Sequence, residues 1–127
     1  MPKTAQKAET TCPMESLLKL LMGPWTPYIL WILRNNGPMR FGALKREVTG
    51  ISAKVLTERL RLLETHGLVD REHTPSIPPQ VTYSLAARGG ELTPALELLD
   101  SIARRWRAED EAVVAMEPSK PEDKQAA

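Results

Sequence analysis

Residues 41–67, FGALKREVTGISAKVLTERLRLLETHG, determine the predicted fold of this chain. A short amphipathic segment, a break at Thr49-Gly50 and a longer amphipathic segment follow one another in this stretch. The order is typical of a helix-turn-helix, in which the first helix braces the second and the second lies in the major groove of DNA. The stretch therefore predicts a DNA-binding unit.

Hydrophobic spacing and helix-stop residues predict five helices along the chain. Their approximate bounds are 13–22, 25–34, 41–48, 52–67 and 89–116. The second helix has the apolar body Tyr28 to Leu33, which predicts the central buried helix, and Thr26 is its predicted N-cap. Ser52 and Gly67 are favoured residues for the start and the end of the fourth helix.

Two short strands are predicted after the fourth helix. Leu68 and Val69 form the first, and Val81, Tyr83 and Leu85 alternate in the second. Residues 74–79, TPSIPP, join the strands, and their prolines exclude a helix. The complete order predicts a mainly α winged helix-turn-helix with five helices and a two-stranded wing.

Length and composition indicate one soluble globular domain, because 127 residues suffice for one core. The predicted parts are a flexible arm at 1–11, a DNA-binding and dimerisation domain at 12–116 and a disordered tail at 117–127. The longest apolar run is too short to span a bilayer, and no signal-peptide core follows the first residues. A single cysteine excludes an internal disulfide and fits a reducing compartment, so the expected location is the cytoplasm.

Charge is concentrated around the predicted helix-turn-helix. Between Arg40 and Arg61, six cations against two acids give a net charge of +4 and leave −3 for the remainder of a chain whose total is +1. Local basic charge on one element is what a DNA-binding surface needs. A solvated helix face is the alternative interpretation.

Helical geometry of about 100° per residue separates an apolar face of the fourth helix from a polar face. Leu56, Leu60 and Leu63 form the apolar face. The residues predicted to contact DNA from this helix are Lys54, Thr57, Glu58 and Arg61, with Ser52 and the free backbone amides as a phosphate site. An arginine can read guanine, a threonine methyl can contact thymine, and a glutamate can accept from cytosine.

Other cations extend this predicted interface. Arg40, Lys45 and the wing residue Arg71 are further predicted DNA contacts. Arg59 lies at the edge of the apolar face and is expected to brace the fold or to reach a phosphate. The wing otherwise carries little charge, which predicts a small share of the affinity.

The fifth helix has an apolar stripe that is longer than one small core can cover. Together with the first helix it predicts a dimer interface. The predicted interface residues are Leu17, Leu21, Leu92, Leu96, Leu99, Ile102 and Trp106.

Taken together, these residues resemble the HxlR family of bacterial winged-helix regulators. The landmarks are Cys12-Pro13-Met14-Glu15, Gly23-Pro-Trp-Thr26, Arg40-Phe41-Gly42-Ala-Leu44, Gly50-Ile-Ser52, Lys54-Val-Leu-Thr-Glu-Arg-Leu60, Gly67-Leu-Val69, Pro78-Pro79 and Val81-Thr-Tyr-Ser-Leu85. The resemblance implies a homodimer built from the first and last helices, a near-palindromic operator and regulation of nearby genes, often in detoxification or redox response. The chain departs from the family pattern where Gln80 replaces the usual wing arginine.

Cys12 directly precedes Pro13, so its sulfur is expected at the N-cap of the first helix. Free amides and the helix dipole favour a thiolate there. Several members of the resembled family sense oxidants or electrophiles through a cysteine at this place. An inter-subunit disulfide, a mixed disulfide with a small thiol and alkylation are the open chemistries, and a cysteine without a role is the alternative.

The remaining side chains predict no enzyme and no metal site. Two histidines and one cysteine with no clustered carboxylates do not provide a ligand set, and no nucleophile–base pattern or phosphate loop is present. No cofactor is expected. Trp25, Tyr28, Trp31 and Trp106 are interpreted as core residues or as the lining of a ligand cavity at the dimer interface. The competing functions are a module that binds protein instead of DNA and a regulator switched by a small ligand.

Overall fold

The computed structural model describes residues 12–116, so the predicted arm and tail lie outside the described residues. Its helices are α1 (Pro13–Leu21), α2 (Thr26–Asn36), α3 (Phe41–Glu47), α4 (Ala53–Thr65), α5 (Ala87–Glu91) and α6 (Thr93–Met116). Its strands are β1 (Met39–Arg40), β2 (Val69–Thr74) and β3 (Gln80–Leu85). The order of these elements is that of a winged helix-turn-helix, which confirms the predicted fold class.

The helix-turn-helix forms where the sequence predicts it. Gly50 lies between α3 and α4 with φ +94°, a conformation that glycine adopts without steric cost. Ser52 caps α4, since its side chain accepts a hydrogen bond of 3.1 Å from the Val55 N–H. Gly67 follows α4 with φ +77° and ends the helix in a left-handed turn.

Apolar side chains from α2, α3, α4 and the start of β2 form the core of the winged-helix unit. The fully buried members with the largest side chains are Ile29, Leu30, Leu33, Leu44, Val48, Leu56, Leu60, Leu63 and Val69. The apolar face predicted for α4 is thus confirmed. Burial of each such side chain contributes about 1.5–3 kcal/mol of transfer free energy, so this face holds α4 firmly on the domain.

The sheet has three strands in the order β1-β3-β2, all antiparallel. In the hairpin, Val69 pairs with Leu85 and Arg71 pairs with Tyr83. The unpredicted third strand is β1, where Met39 pairs with Tyr83. A two-residue strand gives no alternation in the sequence, which is why hydrophobic spacing did not reveal it.

Two details of α2 differ from the prediction. Thr26 does not cap the helix: its side chain is fully buried and its Oγ1 has no hydrogen-bond partner in the described residues. Trp25 occupies the N-cap position with a left-handed φ of 75°. The helix is central, as predicted, but Tyr28 is 46% exposed, so the core interpretation of this aromatic is wrong, as it is for Trp106, which is 59% exposed.

The single fifth helix of the prediction is divided into α5 and α6 at Leu92. Gly89 of α5 packs so closely on the Leu68 carbonyl that a β-carbon at this position would collide with the carbonyl oxygen. The described residues fall into two compact units, one ending at Thr93 and the other beginning at Pro94. The single domain predicted for 12–116 stays a prediction.

The second unit is the main part of α6. Leu96 is buried, whereas Leu99 is 60% and Trp106 59% exposed. Arginines of α6 pair with acids one helical turn away, as in Arg104–Asp100 at 2.7 Å and Arg107–Glu111 at 3.2 Å. No single helix among residues 12–116 is long and apolar enough to cross a membrane, and α1 and α2, which reach that length only together, are bent by 78°.

Candidate nucleic-acid interface

The outer face of α4 is a solvent-facing polar surface next to the sheet. Lys54, Glu58 and Arg61 are exposed and Thr57 is half-buried, while the opposite face lies in the core. Lys54 and Arg61 have neither a hydrogen-bond nor an ion-pair partner among the residues that the structure describes. The cations of this face are therefore available for an external anion.

The arginines of α6 provide a contrast. Asp100 accepts a hydrogen bond from Arg104, and this bond and the charge of Asp100 raise the pKa of Arg104 above its usual value. Arg105 and Arg107 likewise lie within ion-pair distance of Glu109 and Glu111. Although exposed pairs of this kind add little stability, they neutralise the charge of α6 locally. Lys54 and Arg61 of α4, like Lys45 and Arg46 of α3, have no such neutralising partner among the described residues.

Arg59 lies against the turn between α1 and α2 and does not belong to the outer face. A β-carbon added at Gly23 would contact the Arg59 guanidinium and the Thr26 hydroxyl, so these groups lie at the turn between α1 and α2. Arg59 Nε is buried without a hydrogen-bond partner in the described part of the chain. This position agrees with the bracing role expected from the sequence.

A cleft of about 300 Å³ lies between α4 and the sheet. Its lining residues are Thr57, Arg61, Glu64, Arg71 and Tyr83. The cleft brings together three residues predicted to bind DNA, two from α4 and Arg71 from β2. Glu64 and Tyr83 were not predicted as site residues: Glu64 lies on α4 but is an acid, and the sequence does not show that Tyr83 faces α4.

Arg40 is positioned by the sheet. Its Nη2 donates a 2.6 Å hydrogen bond to Oε1 of Gln80, and the two side chains come from the neighbouring strands β1 and β3. Gln80 stands where the resemblance leads one to expect an arginine, and a second guanidinium there would repel Arg40. The neutral amide instead orients the Arg40 charge beside the first residue of β3, next to the loop of the wing.

The other predicted contacts are more scattered. Ser52 is exposed at the N-terminus of α4, and Lys45 is exposed on α3. The tip of the wing carries no charge, and Ile77 there is fully exposed. Arg71, which lines the cleft, is the one lysine or arginine of the hairpin at residues 69–85.

Cys12 lies at the N-cap of α1, as predicted, and is exposed. Its side chain makes no capping hydrogen bond, while its carbonyl oxygen accepts from the N–H of Glu15 at 2.9 Å. The sulfur is therefore accessible to reagents in solution. Within residues 12–116 no group of three His, Cys, Asp or Glu side chains is close enough to hold a metal ion.

The fold and the unpaired basic face of α4 define a winged helix of the helix-turn-helix class. The chain belongs to the HxlR-like helix-turn-helix family, whose model matches residues 20–111. This match confirms the resemblance drawn from the sequence landmarks.

Relatives and solved structures support the same assignment. The HTH-type transcriptional regulator sll1512 of Synechocystis is 42% identical over 95 residues, which are 75% of this chain and 70% of that protein. The redox regulator HypR in its reduced form is 31% identical with a TM-score of 0.72, covering 80% of this chain and 99% of its own. Diamide-treated YodB from B. subtilis is 34% identical with a TM-score of 0.63, covering 76% and 95%. These proteins are regulators, which is a non-enzymatic role.

Proposed function

We propose that this chain is a DNA-binding transcriptional regulator that acts as a homodimer in the cytoplasm on a near-palindromic operator. The proposal rests on the arrangement of α4. Its apolar face is buried, while its opposite face presents Lys54 and Arg61, which have no hydrogen-bond or ion-pair partner in the described residues. Membership of the HxlR-like family supports the DNA-binding role. Lys54, Thr57, Glu58 and Arg61 enter the major groove, and Ser52 lies at the phosphate end of the helix.

Arg40, Lys45 and Arg71 complete the proposed interface as backbone contacts on either side of the groove. Phosphate contacts of this kind fix the position of a protein on the duplex, while contacts to base edges select the sequence. The orientation of Arg40 by Gln80 supports its assignment as such a positioning contact.

A salt titration tests the DNA-binding role. Binding of the purified chain to the DNA fragment upstream of its own gene is measured between about 50 and 300 mM salt. Because each neutralised phosphate contributes a slope of about −0.9 to log K against log salt, affinity is expected to fall steeply. If the folded protein does not bind this fragment at the lowest salt, the alternative of a protein-interaction module is favoured.

Two substitutions of Ser52 distinguish its role as a helix cap from a role in DNA contact. Ser52→Ala is expected to lower the free energy of unfolding by about 1 kcal/mol, because the Val55 N–H loses its acceptor. Ser52→Asp keeps an acceptor and the stability, but weakens DNA binding, since its carboxylate repels a phosphate. Urea denaturation and fluorescence anisotropy measure the two effects. If Ser52→Asp binds DNA with wild-type affinity, the N-terminal end of α4 is not part of the DNA interface.

A response to oxidants through Cys12 is the second part of the proposal. It is supported by the exposure of Cys12 and by the similarity to HypR in its reduced form and to diamide-treated YodB. Oxidation removes two electrons and two protons from two thiols and forms one disulfide, either between two subunits or with a small thiol. A covalent constraint at α1 in a dimer would change the spacing of the two copies of α4.

Diamide treatment is expected to release the wild-type protein from its upstream fragment and to leave Cys12→Ser bound. The affinity of the wild type should fall at least about tenfold, which corresponds to about 1.4 kcal/mol, and a dithiol reductant should restore it. Anisotropy measures the release, and a non-reducing gel shows whether subunits become linked. The same loss of binding in Cys12→Ser would exclude Cys12 from the response.

A further inference from the structure

The residue spacing in α4 and the strand pairing in the hairpin determine which side chains line the cleft between α4 and the sheet. Thr57, Arg61 and Glu64 follow one another at four and three residues, so they lie on one face of α4. Arg71 and Tyr83 are directly paired in the β2–β3 hairpin, which places their side chains on the same face of the sheet. Both sets line the cleft of about 300 Å³.

The chemistry of the cleft suits an oxyanion. Two guanidinium groups and two hydroxyl groups can donate hydrogen bonds into it, and arginine forms its strongest bonds with phosphate or carboxylate oxygens. Neither Arg61 nor Arg71 has a hydrogen-bond or ion-pair partner among residues 12–116. Glu64 is the one acid that lines the cleft, so the lining has a net charge of +1.

The geometry of DNA identifies the oxyanion. If α4 occupies the major groove and the hairpin lies over the adjacent minor groove, the sugar–phosphate strand that separates the two grooves must pass between α4 and the hairpin. The cleft lies between these same elements. We propose that it holds one backbone phosphate of that strand, bound jointly by Arg61 and Arg71.

This inference rests on the proposed DNA-binding function and adds a specific role within it. Arg61 becomes a positioning contact with the backbone, in contrast to the guanine reading that its residue type permits. Discrimination between operators is then left to Lys54 and Glu58, because the Thr57 hydroxyl faces the phosphate cleft. Glu64 opposes the phosphate with a like charge and holds the affinity below what the two arginines alone would give.

Anisotropy titrations of full-length variants test the shared phosphate on two duplexes of equal length, the upstream fragment and an unrelated sequence. Arg61→Ala and Arg71→Ala are each expected to weaken binding to both duplexes by the same factor, about tenfold. Each should also reduce the slope of log K against log salt by about 1 per bound subunit. Because both side chains bind one phosphate, the double variant should lose much less than the product of the single losses. Glu64→Gln should tighten binding to both duplexes.

The control is Arg104→Ala, which removes an equal charge from α6 and should leave both titrations unchanged. All substituted arginines are exposed, so thermal denaturation should show wild-type stability. A loss for Arg61→Ala that is confined to the upstream fragment, with an unchanged salt slope, would show base reading and overturn the inference. Fully multiplicative losses would also overturn it, because they would mean two separate phosphates. If the wild type binds neither duplex, the proposed function itself fails and the inference fails with it.

Discussion

Gly89→Ala is expected to lower the free energy of unfolding by about 2–4 kcal/mol. The added β-carbon would collide with the carbonyl oxygen of Leu68, a backbone atom that cannot move without disturbing its neighbours. The same carbonyl accepts a 3.0 Å hydrogen bond from the Ala86 N–H, so relief of the collision would cost this bond in addition to the overpacking. Urea denaturation followed by circular dichroism measures the change, and the melting temperature should fall by roughly 10 °C.

Gly90→Ala is the matched control, one residue further along the same short helix. Apart from its chain neighbours and the nearby backbone of the helix itself, no atom of the described residues lies within 4 Å of the β-carbon that this substitution would add. An alanine in a helix restricts the unfolded chain more than glycine does, so we expect unchanged stability or a gain of up to about 1 kcal/mol. Equal losses in the two variants would show that the effect comes from the helix backbone and not from the contact with Leu68.

Leu99→Glu is expected to convert the protein to a monomer and to weaken binding to the upstream fragment at least about 100-fold. Leu99, Trp106 and Val113 recur every seven residues along α6 and remain more than half exposed in the single chain. Such a stripe fits a second copy of the same helix. Glutamate would be tolerated in the monomer but not in the dimer, because its charge would lose water without a partner. A monomer can occupy only one half-site of the operator, so the gain in affinity from binding two half-sites at once is lost.

Leu98→Glu is the control for this effect. Leu98 is exposed to the same degree as Leu99, 63% against 60%, but lies about 100° away around the helix. It should remain dimeric and bind DNA as the wild type does. Sedimentation velocity measures the oligomeric state of both variants. A dimeric Leu99→Glu would contradict the proposed use of this stripe, as would a monomeric Leu98→Glu.

The parts of the fold that depend only on residues close together in the sequence were predictable from it. The spacing of Leu56, Leu60 and Leu63 located the buried face of α4, and Ser52 and Gly67 marked its ends because capping needs few residues. The burial of Thr26 is a tertiary effect, since a side chain that can cap in a peptide was instead enclosed by the turn that Arg59 covers.

The candidate site was predictable on the helix but not across the sheet. The polar face of α4 follows from helical geometry alone, which is why Thr57 and Arg61 were identified. The cleft also needs Tyr83, whose position depends on the register between β2 and β3. Register is set by the turn and by packing on the core, and residues 74–79 do not match a short hairpin turn of known geometry. The bond between Arg40 and Gln80 was hidden for the same reason.

We expect the outer face of α4 to lie in the major groove of an operator. Methylation protection with dimethyl sulfate tests it most directly, because the reagent modifies guanine N7 at the major-groove edge. On the upstream fragment, at a salt concentration where the fragment is fully bound, we expect protected guanines in two dyad-related half-sites about one helical turn apart. Full binding without protection of any guanine N7 would contradict the account, since the protein would then hold DNA without placing α4 in the groove.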